Sequence, residues 1–531
     1  MKSLMKKVFA AAAAIATVFG LAATTVATAN AADNATLTVS TADAKFAGKT
    51  VNAYKMFSAT VSSDGKAVSH TLTDEWKPFF KDSTASGLNG ATDANVNDKA
   101  NEYVSKLQGE DLVAFATKAS NWAQNKANNI TADATTKVSD GATDDNYTAT
   151  FTNLDYGYYV VAVPGATLAN TSGQYATLVS VDSTNANANI KGALPTVVKK
   201  VNGGNATDAK IGDTLTFTLT STIPDMSAYD TYTFNFKDTL SQGLTFGQVT
   251  SVTVDGATNP LTVNTDYTVT TPTGSDNTLT VAMKDFKAKQ QANAGKTITV
   301  TYTATLNEKA AVGGHGNTNS ATIQYSNNPS SSGTGESEPS KVHVFTYGFT
   351  VDKYTGKKYD EAATRLAGAE FTLAPKNDTD STAISFVQVS AGDGTANAVY
   401  RVAKTGEEGA TTTIITPANG KVVFQGLKNG EYTLTETKAP AGYNKLASAI
   451  GVKVNGQNDG TDTTNATVTI TYNNDNGSNY DQTASNGVIP VQNKSGVTLP
   501  ETGGMGTIAF TVIGVLVIAL GVAWTLKRKN A

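Results

Sequence analysis

Two lysines stand where a strand should turn apolar side chains inward. Side chains on a strand alternate with period two. That places Val197, Lys199 and Val201 on one face, and Val351 with Lys353 on one face of another strand. A buried, unpaired ammonium is strongly disfavoured, so each lysine must be paired, neutralised or consumed. Consumption is real chemistry for these residue types. Desolvation lowers a lysine pKa and raises that of a carboxylic acid, so a buried amine beside a buried acid is held neutral and nucleophilic. Given a neighbouring carboxamide, the amine attacks its carbonyl carbon, the acid polarises the carbonyl and moves protons, and ammonia leaves. The competing arrangement of the same residue types is a buried ion pair with a hydrogen-bonded asparagine.

The elements that must position these lysines are strands. Runs rich in Thr, Val and Tyr, such as 35–39, 214–220 and 297–302, are broken at short intervals by Asn, Asp and Gly, the pattern of β-sandwiches with Thr-coated outer faces. Three segments follow from composition, at 32–190, 191–340 and 341–498, in line with a length prior of roughly 150 residues per domain. The first has one exception to the strand pattern. Between Tyr103 and Trp122 the apolar residues Leu112, Phe115, Ala116, Ala119 and Trp122 fall at helical spacing, so a helical insertion is expected there, with Trp122 in the core. The Ser, Gly and Pro-rich stretch 326–340 reads as a surface loop or linker.

Both ends carry processing signals. Lys2, Lys6 and Lys7 precede an apolar, Ala-rich stretch from Val8 to Val26 and a small-x-small site at Ala29-Asn30-Ala31, so residues 1–31 read as a cleaved signal peptide. The other end runs Leu499-Pro500-Glu501-Thr502-Gly503, then an apolar segment over 507–526, then a tail at 527–531 with Lys527, Arg528 and Lys529. Such a segment has the about 20 residues a transmembrane helix needs, and its basic tail orients it with the pentapeptide outside. The net charge of −4 becomes −10 once the six basic residues at the two ends are removed. Nucleic acid is a poor partner for that surface. The chain has no cysteine, although an exported protein is free to use disulfides, so covalent reinforcement has to use other chemistry.

The pentapeptide, apolar segment and basic tail resemble the sorting signal of Gram-positive surface proteins. That resemblance implies that a sortase attacks the carbonyl of Thr502 within Leu499, Pro500, Thr502 and Gly503, and that Gly503 leaves with the helix. The stretch Glu431-Tyr432-Thr433-Leu434-Thr435-Glu436-Thr437-Lys438-Ala439-Pro440-Ala441-Gly442-Tyr443 resembles the E-box of Gram-positive pilins, whose Ig-like CnaB domains form a spontaneous Lys–Asn isopeptide bond. Carried over by position, Lys353 is the nucleophile, Asn493 the electrophile and Glu436 the promoting acid. The second segment is similar to the middle, CnaA-like pilin domain, implying Lys199, Asn319 and the acid Asp238, with Lys200 and Asn317 as rivals. No such trio is evident in the first segment, where Lys55 reads as an outward strand residue.

Taken whole, the chain resembles the FimA/SpaA-type backbone pilins. The resemblance implies an all-β chain of three tandem Ig-like (CnaA/CnaB-type) sandwiches. It also implies a polymer in which Thr502 of one subunit is joined to a lysine of the next. The family places that lysine in a Tyr-Pro-Lys motif, which this sequence lacks. Lys191, in Asn187-Ala188-Asn189-Ile190-Lys191-Gly192-Ala193-Leu194-Pro195, holds the corresponding junction and is the expected acceptor, with Lys200 as the alternative. Implied partners are a pilin-specific and a housekeeping sortase, identical subunits head to tail, minor or tip pilins, peptidoglycan and a host surface or matrix. The implied location is the cell wall and a surface pilus, reached through a membrane intermediate.

The alternative is a monomeric wall-anchored adhesin or minor pilin. An enzyme is disfavoured because His70, His315 and His343 are the only histidines, scattered and without cysteine. His343, between Val342 and Val344, reads as an outward strand residue. Asp140, Asp144 and Asp145 match no calcium loop, so no cofactor or metal is expected.

Overall fold

A computed structural model describes residues 34–496, except 63–64, 144–145, 169–173, 191, 228, 274–275, 328–332, 377–381 and 458–465, together with the helix Met505–Lys529. The signal peptide, the acceptor candidate Lys191, the pentapeptide with Leu499, Pro500, Thr502 and Gly503, and Asp144 and Asp145 lie outside the described residues. The chain is mostly strand and falls into two compact units. One comprises residues up to Tyr347 with Gly426–Asn429 and Gly456–Val468, and the other comprises the remainder.

In the first sandwich, Ala35–Thr41 alternates buried and half-buried residues along its whole length. It lies between Tyr147–Leu154, antiparallel, and Asn185–Asn189, parallel. The second sheet is built on Thr50–Val61 and Gly157–Leu168, flanked by Val68–Leu72 and Gln174–Val181. The short strand Gly192–Ala193 also pairs with Gly157–Leu168, so this sheet extends past the border expected at 190.

The helical insertion is present but divided. Val96–Lys106 and Gly109–Gln124 are separate helices, because Leu107 and Gln108 are extended and Gly109 takes φ 52°, a conformation glycine adopts without penalty. The helices turn Val96, Ala100, Val104, Phe115 and Ala119 into a core shared with Trp76, Phe79, Phe80, Tyr158 and Val160. Trp122 is only partly buried, packed at the edge of that core, with its ring 5.5 Å from that of Phe79.

The middle sandwich faces a four-stranded sheet against a larger one. The first has the order Val198–Val201, Thr214–Thr222, Thr297–Leu306, Leu244–Val254. The second runs Ala206–Asp208, Ser340–Phe345, Asn317–Ser326, Phe234–Leu240, Thr278–Met283, Tyr267–Thr270. Two expectations are corrected here. The stretch 326–340 is not a free linker, since Thr334–Glu336 pairs back onto Asn317–Ser326 and Ser337 is buried with its hydroxyl accepting from Ile323 N. Ser340–Phe345, all but its first residue placed by sequence in the third segment, belongs to the middle sheet, antiparallel to Asn317–Ser326. The same strand corrects His343. It is buried, with Nδ1 3.1 Å from the His315 carbonyl and 3.3 Å from Thr318 Oγ1. Alternation fails as a guide there because Ser340–Phe345 is an inner strand buried on both faces from Val342 onward.

The third sandwich pairs Tyr347–Thr355 in parallel with the last strand, Val488–Gln492. That sheet continues through Lys421–Leu427, Ala398–Val402 and Phe386–Ser390. The other sheet contains Glu370–Pro375, Gly430–Lys438 and Ile450–Gln457. The apolar segment expected to cross a membrane folds as part of the helix Met505–Lys529. Its large apolar side chains are exposed from Ile513 to Leu526. Among the described residues no helix is long and apolar enough to cross a membrane.

Phe79 touches Trp76, Phe80, Phe115 and Trp122, so it packs the short helix Lys77–Lys81 against Gly109–Gln124. Phe79→Ala is expected to remove about 3–5 kcal/mol of stability, seen as a lower thermal midpoint for the first sandwich. An unchanged midpoint would show the helices to be outside the core.

Candidate functional site

In the third sandwich the backbone fixes Lys353 from both sides. Its N–H donates to the Gly420 carbonyl at 2.8 Å and its carbonyl accepts from Leu366 N at 2.9 Å. Parallel register sets Lys353 opposite Val491, and Asn493 follows two residues later, its N–H donating to the Tyr354 carbonyl at 3.0 Å. Period two therefore turns Lys353, Val491 and Asn493 to the same side. Glu436 comes from the facing sheet on Gly430–Lys438. All three polar residues are buried, at 1 % exposure or less.

The Glu436 carboxylate spans the other two. Oε1 is 3.0 Å from Lys353 Nζ, and Oε2 accepts from Asn493 Nδ2 at 3.1 Å and from Leu446 N at 2.7 Å. Asn493 Nδ2 also donates to the Asn444 carbonyl at 2.8 Å, whereas Asn493 Oδ1 has no partner. Burial pulls the Lys353 amine down from 10.5 to about 8, against the opposing pull of Glu436. A large fraction of this amine is thus neutral near pH 8, beside a carboxamide whose nitrogen is held and whose carbonyl oxygen is open. That arrangement can join amine to amide carbon.

The middle sandwich brings the same residue types together from two sheets. Lys199 lies on Val198–Val201 opposite Leu219, while Asp238 and Asn319 lie on adjacent strands of the facing sheet. All three are buried. Lys199 Nζ donates to Asp238 Oδ2 and, at 3.0 Å, to Tyr302 Oη. Asn319 Nδ2 donates to the same Tyr302 Oη at 2.6 Å, and Asn319 Oδ1 has no partner. Burial lowers the Lys199 amine below the ordinary lysine value, with Asp238 acting the other way.

The rivals sit elsewhere. Lys200 points outward, Nζ donating to Asn205 Oδ1 at 2.6 Å. Asn317 is buried, but its carboxamide is occupied by Ala311 N, the Ala311 carbonyl and the Val344 carbonyl.

Sequence reasoning missed Tyr302 and Asp352. The signal for Tyr302 was available, since Thr297–Leu306 alternates strictly and Tyr302 shares the buried face with Ile298, Val300, Ala304 and Leu306. For Asp352 there was no such signal. It is fully buried beside Lys353, 2.7 Å from Arg365 Nε and accepting from Tyr359 Oη at 3.0 Å. Burial and that hydrogen bond push the Tyr359 phenol up to about 12. In the first sandwich Lys55 is not the outward residue expected. Its side chain is 16 % exposed, with Nζ 2.5 Å from Asp155 Oδ2. Among the described residues no cluster of three or more His, Asp or Glu could hold a metal.

Three stretches match known families. Residues 352–471 match the SpaA prealbumin-like fold domain, 211–329 the Cna-B-like domain of Gram-positive pilin backbone subunit 2, and 491–531 the LPXTG cell wall anchor motif. The trypsin-resistant surface T6 protein of Streptococcus pyogenes serotype M6 is 25% identical over 283 residues, covering 48% of this chain and 44% of that protein. The chain thus matches less than half the length of this curated relative. Among solved structures, the T6 backbone pilin of serotype M6 Streptococcus pyogenes aligns with a TM-score of 0.46 and 18% identity over 88% of this chain and 100% of that one. The full-length major pilin SpaD of Corynebacterium diphtheriae aligns with a TM-score of 0.40 and 19% identity over 88% and 98%.

The lowered Lys353 pKa sets a pH test. An unfolded lysine keeps its proton up to its ordinary value near 10.5, while folded Lys353 releases it at about 8. Between those values the unfolded chain binds more protons, so stability rises with pH across that window, by on the order of 3 kcal/mol. An Asn493→Ala chain, which has no carboxamide to react, should show this rise in thermal midpoint, and adding Lys353→Met should abolish it. Superimposable pH profiles for the two chains would contradict the depressed pKa.

Proposed function

We propose that this chain, which carries a Gram-positive pilin backbone domain, a SpaA prealbumin-like domain and an LPXTG cell wall anchor motif, is the structural backbone subunit of a sortase-assembled surface pilus. Its two buried trios are self-processing sites. Neutral Lys353 Nζ attacks Asn493 Cγ while Glu436, as the acid, polarises the carbonyl and passes protons. The Cγ–Nδ2 bond breaks, ammonia leaves, and an amide joins the first and last strands of the third sandwich. Lys199, Asn319 and Asp238 do the same across the two sheets of the middle sandwich. Each reaction runs once and removes a buried charge. By the loop-entropy estimate each cross-link contributes about 5 kcal/mol.

The observation that carries this reading is the place of Asn493. It directly follows the last strand and lies just before the pentapeptide at 499–503, inside the stretch that matches the anchor motif. Sortase would form a thioester at Thr502 and transfer that acyl group to the Nζ of Lys191 on the next subunit. Tension entering at Thr502 then reaches Asn493 first and crosses at once to Lys353. The anchor end of the chain and the cross-link form one mechanical part, which suits a link in a polymer.

Two measurements follow. The full chain produced without sortase should have an intact mass short of its sequence mass by two ammonia molecules, allowing for the signal peptide. Asp238→Ala and Glu436→Ala should each restore one, and an undiminished mass would remove the self-processing claim. In the native host, cell wall extracts should show a ladder of detergent-resistant multimers that Lys191→Ala abolishes. A ladder unchanged by that substitution would reject Lys191 as acceptor, and a single band from the unaltered chain would point to a monomeric adhesin.

A further inference from the structure

The two trios differ in which group spans nucleophile and electrophile. In the third sandwich one carboxylate reaches both, Oε1 to Lys353 Nζ and Oε2 to Asn493 Nδ2. In the middle sandwich Asp238 binds Lys199 through Oδ2, and its Oδ1 has no hydrogen-bond partner. There the spanning group is Tyr302, whose Oη accepts from Lys199 Nζ at 3.0 Å and from Asn319 Nδ2 at 2.6 Å. Aspartate is one methylene shorter than glutamate, and the phenol covers the distance that the shorter acid leaves.

We propose that Tyr302 is a third catalytic residue of the middle domain, relaying a proton from Lys199 Nζ to the departing nitrogen of Asn319. The proposal rests on the reading that Lys199 and Asn319 condense. The lysine first gives its extra proton to Asp238. The Nζ lone pair then forms a bond to Asn319 Cγ. As that nitrogen becomes positive, one of its protons passes to Tyr302 Oη while the phenol proton passes to Nδ2. The Cγ–Nδ2 bond breaks with its electron pair on nitrogen, and ammonia leaves. Tyr302 ends as it began, a phenol, and the product is a secondary amide.

Three features suit Tyr302 to this part. A hydroxyl both accepts and donates, which neither a lysine ammonium nor an ionised carboxylate does. Burial, reinforced by Asp238, raises the phenol pKa well above its ordinary value, so the proton stays on the ring oxygen until it is needed. The ring is held by Phe217, stacked at 5.1 Å with 9° between planes, on a strand paired along both sides. Its hydroxyl is therefore placed by packing and not by the trio itself.

Tyr302→Phe keeps the ring and deletes only the relay. In the full chain produced without sortase, digestion at successive times after synthesis should yield the Lys199–Asn319 cross-linked peptide about 100-fold more slowly than in the unaltered chain, within the usual range for a lost acid–base group. The Lys353–Asn493 peptide should form at its normal rate in the same molecules. Formation of both at the unaltered rate would overturn the role of Tyr302 while leaving the condensation intact. Absence of the Lys199–Asn319 peptide from the unaltered chain would overturn the condensation, and Tyr302 with it. Lys199→Met supplies the folding control, because it lacks the bond for want of a nucleophile. A thermal midpoint for Tyr302→Phe well below that of Lys199→Met would assign the slow bond to misfolding and overturn the proposal.

Discussion

The constraint on which the structure turns is the cost of an ammonium group inside a sandwich core. Lys199 and Lys353 have no exposed side-chain surface, and both amines are pulled down by burial. Both sites are lined by aromatic rings. Lys199 Nζ lies 5.1 Å from the Phe217 ring centre and 5.2 Å from that of Tyr302, and Lys353 Nζ lies 5.5 Å from that of Phe371. A desolvated aromatic face favours a nearby cation by about 2 kcal/mol, well short of the cost of burying an ammonium group. A carboxylate answers each lysine, yet a buried ion pair is often no more stable than an apolar replacement. The presence of an asparagine beside each pair, with its carbonyl oxygen unpartnered, gives these arrangements a chemical rationale that stability alone does not supply.

Much of this was legible because strands report on themselves. Period two singled out Lys199 and Lys353 from their apolar neighbours, and the structure buries Val197 and Val201 while leaving Val198 about half exposed. Alternation reports one face at a time, and it misleads where both faces are covered. His343 and Asp352 are the two cases. Each flanks a buried residue in sequence, so alternation assigns it to solvent. The first is buried on an inner strand, and the second lies under Arg365 and Tyr359. Both coverings come from residues distant in sequence or from loops, which no local pattern encodes.

Borders and turns were legible to a lesser degree. The polar stretch 326–340 lacks apolar residues to bury, yet Ser337 is drawn in by hydrogen bonds to Ile323. The helical run was visible from Leu112, Phe115 and Ala119, but the break before Gly109 depends on one backbone conformation. Tyr302 was visible as a buried position and invisible as a participant, because its role arises from three strands meeting across two sheets.

Connectivity gives the proposed cross-links their purpose. The Lys353–Asn493 bond takes residues 354–492 out of the line of force, and the Lys199–Asn319 bond does the same for 200–318. Parallel pairing of Tyr347–Thr355 with Val488–Gln492 means that opposite pulls on the two strands shear the pair lengthwise, and the bond sits where that shear begins. Stretching single full-length chains between their ends tests this most directly. The account predicts that neither looped region lengthens before the tether fails. Stepwise lengthening on the order of 400 Å per sandwich, the reach of about 120 freed residues, would contradict it.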